Sequence, residues 1–285
     1  MPHPALSQPP IPALYHFDAQ RAPLLLGRGD PPAFFFLEEA GPAPALLICD
    51  HASRAIPASL QRLGLEGADL ARHIAWDIGV AEVAKELAPR LRCPAVLSGF
   101  SRLVIDANRR TGSAGSIPEV SDGTEVPGNQ NLGEAERRAR VEQLFKPYHA
   151  AVSRMIEAKL AAGQRPLLIF LHSFTPVMDG FQRPWEVGIL WNEDRRLAGP
   201  LIEALRARGV RTGDNEPYSG TSSEDYGLHV HAEARGLPGV LIEVRQDLID
   251  HPQGVKRWSR LLYEVLAPLL QQAPDIARSL EQPKI

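Results

Sequence analysis

Short apolar runs alternate with amphipathic segments along most of the chain, a pattern that predicts buried strands connected by helices. The run ALLIC at 45–49 has no polar interruption, which is typical of a strand buried on both faces of a sheet. Similar runs occupy 33–38, 94–99, 103–106, 166–176, 187–191 and 240–245, and apolar residues at helical spacing occupy 67–91, 133–162, 194–208 and 253–271. Strands that alternate with helices in this way predict a three-layer α/β fold, with a mainly parallel central sheet and helices on both of its faces.

The domain organisation follows from length and from the distribution of proline and glycine. A chain of 285 residues with this alternation commonly forms one domain. Five prolines among the first dozen residues predict an extended arm without a core of its own. We assign residues 1–30 to this arm and residues 31–285 to a single domain. The segment 110–132 is rich in Gly, Ser, Pro and Asn and predicts a long surface loop, which is often functional; the sequence leaves open whether this loop is a lid.

The charge balance excludes two classes of partner. The chain has 31 Lys and Arg against 34 Asp and Glu residues, so it lacks the basic footprint of a protein that binds nucleic acid or an anionic membrane.

Cys49 and Cys93 form neither a C-x-x-C pair nor a disulfide framework. We find no secretory leader pattern and no apolar stretch of membrane-spanning length. We therefore expect a cytoplasmic protein without nucleic-acid or membrane partners, and homo-oligomer formation is left open.

Distinctive polar residues stand at the ends of several predicted strands. In open α/β sheets, ligands and catalytic groups gather in the crevice beyond the carboxyl ends of the strands. The residues in such positions are Asp50 and His51, then Asp106, Asn108 and Arg109, then His172 and Ser173, and finally Glu243 and Arg245. We expect them to converge on one pocket.

Two imidazoles and a carboxylate in one pocket would suit a catalytic zinc or another divalent metal, which typically has three protein ligands. His51 and His172 are the predicted imidazole ligands. Asp77 is the predicted third ligand, because a helix beside the first central strand could return its carboxylate to the pocket. Other interpretations stay open, since a lone histidine after a strand often caps or packs, and Asp77 could anchor its helix through a surface pair.

Glu243 is the predicted general base, which takes a proton from water and delivers it to the leaving nitrogen. Arg102 and Arg109 are predicted to hold a substrate carboxylate as planar forks, and Asn108 adds a directional hydrogen bond. A small acidic substrate fits this set of groups. An alternative for Arg109 is a solvated basic turn with Arg110.

We also place Tyr218 and Arg245 among the substrate-binding candidates. Tyr218 lies in the polar run GDNEPYSG, which predicts either a loop over the cleft or a plain surface turn. Arg245 could instead form a structural ion pair with Asp247 beside the catalytic base. His229 and His231 would resemble a metal-binding pair on a strand, but on a helix two residues at this spacing point apart. We therefore keep them as candidates for substrate contact or for support of the metal ligands.

At these residues the chain resembles the N-formylglutamate amidohydrolase family over about residues 45–265. The matching motifs are CDHASRAIP at 49–57, AWDIG at 75–79, SRLVIDANR at 101–109, LHSFTP at 171–176, EVGILWN at 186–192 and LIEVRQDLI at 241–249. The resemblance implies a zinc-dependent hydrolase with a fold related to zinc carboxypeptidases and aspartoacylase. It also implies hydrolysis of N-formyl-L-glutamate to formate and glutamate, in histidine degradation. In the related enzymes an Asn-Arg pair grips the substrate carboxylate and a glutamate assists the metal-bound water, which corresponds to Asn108, Arg109 and Glu243.

One position departs from those enzymes, which take two metal ligands from an H-x-x-E motif. Here Arg54 stands three residues after His51, so either Asp77 is the substitute ligand or the metal site is altered. The alternatives are therefore a deacylase or carboxypeptidase-like hydrolase of another acyl amino acid or peptide, and a non-catalytic protein that binds a small molecule. A serine hydrolase using Ser53 or Ser173 is disfavoured, because the chain has no G-x-S-x-G motif.

Overall fold

The computed structural model describes residues 23–38, 41–222 and 225–279. In chain order the strands are β1 (Phe34–Leu37), β2 (Ala45–Cys49), β3 (Ala95–Ser98), β4 (Val120–Ser121), β5 (Thr124–Glu125), β6 (Leu167–Phe174), β7 (Val177–Met178), β8 (Phe181–Gln182), β9 (Val187–Leu190), β10 (Thr212–Asp214) and β11 (Gly239–Arg245). The α-helices are α1 (Gly67–Ala71), α2 (Val80–Leu91), α3 (Glu134–Arg140), α4 (Lys146–Ala161), α5 (Ala198–Arg206), α6 (Pro252–Gln271) and α7 (Ala273–Arg278). 3₁₀-helical segments occupy Ala58–Gly64, Pro127–Asn129, Glu233–Arg235 and Gln246–Leu248, and π-helical turns occupy Val141–Phe145 and Leu228–Ala232.

Seven strands form the central sheet, in the order β1-β3-β2-β6-β11-β9-β10. The four inner strands β3, β2, β6 and β11 are parallel to one another. At one edge β1 is antiparallel to β3, and at the other β9 is antiparallel to β11 while β10 is parallel to β9. The predicted mainly parallel sheet is confirmed, and its inner strands end at a common edge.

The core lies on both faces of this sheet. Every residue of β2 and β6 is buried, which explains why their sequences are continuous apolar runs. Alternate residues of β2 enter different layers. Leu47 belongs to the core cluster that includes residues of α2, α5 and α6, whereas Leu46 belongs to the cluster that includes residues of α4. The predicted three-layer arrangement is thereby confirmed. None of the described helices has the length and apolar character that crossing a membrane requires.

Two predicted elements are wrong in part. The helix predicted over 67–91 is interrupted, because residues 72–79 form turns between α1 and α2. Gly79 ends this interruption with φ of +82°, and a Cβ atom there would lie 2.2 Å from the carbonyl oxygen of Ile249.

The apolar run at 103–106 forms a turn rather than a strand, and its Leu103 and Val104 are buried in a third core cluster. A short apolar run therefore predicted burial correctly and its conformation wrongly.

The other predicted helices are present with shifted ends. The helix predicted over 133–162 consists of α3, a π-helical turn and α4, while α5 and α6 fill the segments predicted over 194–208 and 253–271. The segment 110–132 is largely loop, as predicted, and also contains the β4–β5 hairpin.

The predicted arm, residues 1–30, lies outside the described residues as far as residue 22. Its described part packs on the body of the protein, since Leu25 is buried and its N–H donates to Gln143 Oε1 at 2.8 Å. The division into an arm and one domain stays a prediction.

Candidate active site

His51, Asp77 and His172 converge at the carboxyl edge of the sheet. His51 follows β2, His172 lies near the end of β6, and Asp77 lies in the turns before α2, where its N–H donates to the carbonyl of His51 at 2.9 Å. Asp77 Oδ2 is 3.3 Å from His51 Nδ1 and 3.0 Å from His172 Nδ1. All three side chains are buried, and one ligand atom from each lies within 4.8 Å of the other two. The structure brings together the three residues that the sequence suggested as ligands.

The far nitrogen of each imidazole is held by a carboxylate. His51 Nε2 lies 2.8 Å from Asp106 Oδ1, and His172 Nε2 lies 3.1 Å from Asp50 Oδ2. Since a carboxylate accepts, each Nε2 carries the hydrogen, and both Nδ1 atoms face Asp77. Histidines that ligate metals are typically oriented by such carboxylates. Asp77, Asp50 and Asp106 together require nearby positive charge.

Without a metal, protons satisfy this requirement. Burial alone would lower the pKa of His172, but its hydrogen bonds to Asp50 and Asp77 outweigh burial and hold the pKa well above its ordinary value. Burial and nearby Arg102 likewise lower the pKa of His51, and the charges of Asp106 and Asp77 raise it overall. A divalent cation would replace these protons in the same place.

The supporting carboxylates are themselves held in place. Tyr148 donates its hydroxyl to Asp50 Oδ1 at 2.8 Å. Arg102 donates to Asp106 Oδ2 through Nη2 at 2.7 Å and through Nε at 3.0 Å, and its Nη1 lies 3.5 Å from Asp77 Oδ1. Arg102 lines the cavity, yet its guanidinium is engaged by two aspartates. The structure thus gives Arg102 a role in holding the histidine cluster, beside the predicted contact with substrate.

Glu243 lies next to the cluster, because β11 and β6 pair in a register that sets Glu243 beside His172. The carboxyl is buried, and Oε2 has no hydrogen-bond partner among the described residues. Burial raises the pKa of Glu243 to about 7. A carboxyl that gains and loses its proton near neutral pH is suited to general acid–base chemistry.

Asn108 and Arg109 line the same cavity with donors to spare. Asn108 Oδ1 accepts the backbone N–H groups of Tyr226 at 3.2 Å and Gly227 at 2.8 Å, so its Nδ2 remains a donor without a partner in the described part of the chain. Arg109 uses Nη1 for the carbonyl of Asn108 at 3.0 Å and for Asp225 Oδ1 at 2.5 Å. Its Nε and Nη2 form no bond within the described ranges, which leaves one edge of the guanidinium available to a carboxylate.

Tyr218 lines the cavity from the opposite loop and is 40% exposed. Two glycines allow this loop to lie close to the sheet. A Cβ atom at Gly188 would lie 2.1 Å from the carbonyl oxygen of Glu216, and one at Gly213 would lie 2.6 Å from it. Arg183 Nη1 donates to the Tyr218 hydroxyl at 2.9 Å. The tyrosine side chain is therefore presented to the cavity by its loop and by an arginine behind it.

Three other candidates lie elsewhere. Arg245 is not among the residues that line the cavity. It donates to both carboxylate oxygens of Asp247, at 2.8 and 3.2 Å, and so forms the structural ion pair that was the alternative to a contact with substrate. His229 is exposed and lies 3.4 Å from Glu233. His231 is buried behind the site, with Nε2 at 2.9 Å from His149 Nδ1.

Arg54 contributes nothing to the histidine cluster. Its guanidinium lies over the ring of Trp76, 5.4 Å from the ring centroid, and it is absent from the cavity lining. In the described part of the chain, the group with metal-ligand spacing is His51, Asp77 and His172. The carboxylate of this group therefore comes from Asp77, and Arg54 does not belong to it.

The cavity in front of these residues has a volume of about 320 Å³. One wall comes from the segment 110–132, through Ser121 and Asp122 among others, and Asp122 forms an ion pair with Arg72 at 2.7 Å. The long polar loop is therefore part of the site.

Sequence reasoning missed three residues of the site: Tyr148, Arg183 and Asp225. Asp225 is the first residue of the DYG segment, whose Tyr226 and Gly227 N–H groups donate to Asn108, but a carboxylate in a polar loop carries no periodic signal. Tyr148 lies on the buried face of α4, where an aromatic residue is ordinarily read as core. Arg183 follows the β7–β8 hairpin, and its burial could not be foreseen from a polar turn.

The fold and this cavity define a class, the three-layer α/β proteins whose reactive groups stand at the carboxyl edge of the central sheet. The family model of N-formylglutamate amidohydrolase matches residues 43–250. The chain belongs to this family and is a hydrolase of the N-formylglutamate amidohydrolase type, which confirms the resemblance seen in the sequence.

The solved structures that are similar to the chain include the following two. Gene product Atu2144 from Agrobacterium tumefaciens is 35% identical with a TM-score of 0.83, and the match covers 87% of this chain and 98% of that one. An N-formylglutamate amidohydrolase from Ralstonia eutropha JMP134 is 16% identical with a TM-score of 0.54, covering 88% of this chain and 97% of its own. At that identity the second likeness supports the fold alone. Among curated proteins, none matches the chain.

Proposed function

We propose that the protein is a metal-dependent amidohydrolase that hydrolyses N-formyl-L-glutamate, or a closely related N-acyl amino acid, to formate and L-glutamate. One observation carries this proposal. His51 and His172 each have Nε2 bound to a carboxylate and Nδ1 directed at Asp77, next to the unpartnered oxygen of Glu243. Cytoplasmic histidine degradation is the proposed setting.

The donor set fits a divalent metal. Two imidazole nitrogens and one carboxylate oxygen are the ligand types of catalytic zinc sites, which keep a further position open. His51, Asp77 and His172 would hold the ion. When bound, the ion would supply Lewis acidity, which lowers the pKa of water and polarises an amide carbonyl.

Glu243 handles the proton in this proposal. As a carboxylate it takes a proton from the attacking water, and as a carboxylic acid it gives that proton to the leaving nitrogen. A pKa of about 7 lets the group serve in both states at neutral pH. The unpartnered Oε2 supports this role, since a buried carboxyl oxygen without a partner is costly unless a ligand or water uses it.

Asn108 and Arg109 orient the substrate. The Nδ2 amide of Asn108 and the Nε–Nη2 edge of Arg109 are donors on the cavity wall, and together they suit a carboxylate. A carboxylate held there sets the adjacent amide bond in a fixed position relative to Glu243 and the histidine cluster. Orientation of this kind lowers the barrier to reaction.

The proposal is tested by formate release from N-formyl-L-glutamate by the purified full-length protein. The assay is run as purified, after removal of metal by a chelator, and after readdition of zinc. We expect turnover that the chelator abolishes and zinc restores. Turnover that survives complete removal of metal would contradict metal dependence, and zinc-loaded protein that releases formate from no N-formyl amino acid would contradict the substrate assignment.

A further inference from the structure

Arg183 is a buried guanidinium that has no acidic partner in the described part of the chain. It is 7% exposed, and its Nη1 donates to the carbonyl of Thr175 at 3.3 Å, to Thr175 Oγ1 at 3.1 Å and to the hydroxyl of Tyr218 at 2.9 Å. All these acceptors are neutral. No carboxylate within residues 23–38, 41–222 and 225–279 forms an ion pair with it. A buried charge in this situation is unfavourable unless an anion arrives to balance it.

The two arginines that line the cavity differ from Arg183 in this respect. Arg102 is paired with Asp106 at 2.7 Å, and Arg109 is paired with Asp225 at 2.5 Å. Their charges are already balanced within the protein. Arg183 therefore supplies the positive charge near the cavity that the described protein leaves unbalanced.

Arg183 lies directly behind the cavity wall. Its guanidinium carbon is 4.7 Å from the ring centroid of Tyr218 and 5.7 Å from that of Phe174. Tyr218, Phe174 and Thr175 all line the cavity, whereas Arg183 does not. Arg183 therefore acts on a ligand in the cavity indirectly, chiefly through the side chain of Tyr218.

The hydrogen bond between the two residues has a fixed direction. An arginine can only donate, so the phenolic oxygen of Tyr218 must accept. The hydroxyl hydrogen of Tyr218 is then available for another acceptor, and the adjacent cation makes this hydroxyl a stronger donor. An anionic group in the cavity is the acceptor that both features favour.

We propose that Tyr218 and Arg183 form a subsite for a second anionic group of the substrate, the side-chain carboxylate of an acidic N-acyl amino acid. Tyr218 contacts the carboxylate, and Arg183 is the positioning residue that orients the phenol and supplies the charge. Asn108 and Arg109 take the first carboxylate. The identity of the reaction rests on the proposed function, whereas the binding of a dicarboxylate is measurable without turnover.

The first experiment measures binding of glutarate, a dicarboxylate, and of butyrate, its monocarboxylate counterpart, to the zinc-supplemented full-length protein by calorimetry. We expect the wild type to prefer glutarate. Arg183→Met and Tyr218→Phe should each weaken glutarate binding about tenfold or more and leave butyrate binding within about twofold. The double variant should be no weaker than the worse single variant, because the two side chains act as one unit.

Two further variants exclude a merely structural role. Arg90→Met removes an exposed arginine that pairs with Glu86, and it should change neither affinity. Arg183→Lys keeps the charge without the planar fork, and we expect it to recover part of the preference for glutarate. If Arg183→Met does not fold, Arg183→Lys and Tyr218→Phe provide the same comparison. Equal weakening of both ligands, or a wild type without preference for glutarate, overturns the proposal.

Turnover separates this proposal from the proposed function. If the wild type hydrolyses N-formyl-L-glutamate, the variant Arg183→Met should have a kcat/KM that is lowered far more for this substrate than for N-formyl-L-glutamine. An unchanged ratio of the two overturns the subsite and leaves the proposed function standing. If the wild type prefers glutarate through Arg183 yet releases no formate, the subsite stands and the proposed function fails.

Discussion

Glu243 and His172 lie side by side on neighbouring parallel strands, in the register that pairs β11 with β6. This pairing sets the only catalytic carboxyl we assign beside one of the two imidazoles that converge on Asp77. Since the register of buried parallel strands is fixed by packing on both faces, the distance between base and histidine cluster is set by the core. The position of Glu243 relative to His172 therefore depends on the sheet.

Replacing Asp50 with Asn should weaken zinc binding by about 10- to 100-fold, because the charged acceptor that orients His172 through Nε2 is lost. Affinity is measured by competition with a chromogenic chelator. Tyr148→Phe is the matched control: it removes the hydroxyl that donates to Asp50 but keeps the carboxylate, so its effect should be smaller. Unaltered zinc affinity in Asp50→Asn would show that the carboxylate does not orient a ligand.

Arg109→Ala should raise KM for an acidic N-formyl amino acid by about 10- to 100-fold, the loss expected for a hydrogen bond between charged groups. The effect on a neutral analogue without a carboxylate should be far smaller. Steady-state kinetics with both substrates make the comparison. Equal effects on the two substrates would rule out a carboxylate clamp at this position.

Gly79→Ala should destabilise the protein more than Gly112→Ala. Both glycines have positive φ, at +82° and +88°, so alanine costs roughly 1–2 kcal/mol of conformational strain at either position. Only at Gly79 does the added Cβ also meet a backbone oxygen, that of Ile249 at 2.2 Å, whereas nothing lies within 4 Å at Gly112. Urea unfolding of the two variants measures the difference. An equal decrease in the free energy of unfolding of the two variants would mean that the turn before α2 accommodates the added Cβ atom without a further energetic penalty.

The buried pair His149 and His231 should make the fold sensitive to acid. Burial lowers the pKa of His149 to about 4, and burial with the nearby His149 lowers that of His231 to about 3. The unfolded chain binds these protons below about pH 6.5, so the free energy of unfolding falls as the pH drops from there toward 4. The charged groups nearest the pair are Asp50 and Arg235.

His231→Gln should flatten this dependence by about one proton, or about 1.4 kcal/mol per pH unit. The free energy of unfolding is measured by urea at several pH values in this range. His229→Gln, at an exposed position two residues away, is the control and should retain the wild-type slope. The same slope in His231→Gln as in the wild type would show that His231 is not held neutral in the folded protein.

The sequence predicted much of the sheet, because strands buried on both faces need continuous apolar runs, and β2 and β6 have them. It also predicted that His51, His172 and Glu243 meet, since the carboxyl ends of parallel strands share an edge. The reversed direction of β9 was not predictable, because an apolar run carries no information on strand direction.

Other features depend on contacts between distant parts of the chain. Asp77 was expected on a helix and lies in turns, which end at Gly79, where the chain approaches the backbone of Ile249 too closely for a side chain. The partners of the arginines were equally hidden: Arg245 joins Asp247 outside the cavity, and Arg183 is buried without a carboxylate among the described residues. Sequence spacing identifies charged groups but not which of them the fold pairs.

The most direct test of the account is a side-by-side measurement of bound zinc and formate release in wild type, His172→Ala and Glu243→Gln. We predict that His172→Ala loses both the metal and the turnover. Glu243→Gln should keep stoichiometric zinc and lose turnover by about 100-fold or more, because an amide cannot accept the proton. Normal turnover in Glu243→Gln, or undiminished zinc in His172→Ala, would contradict the assignment of the base or of the metal ligands.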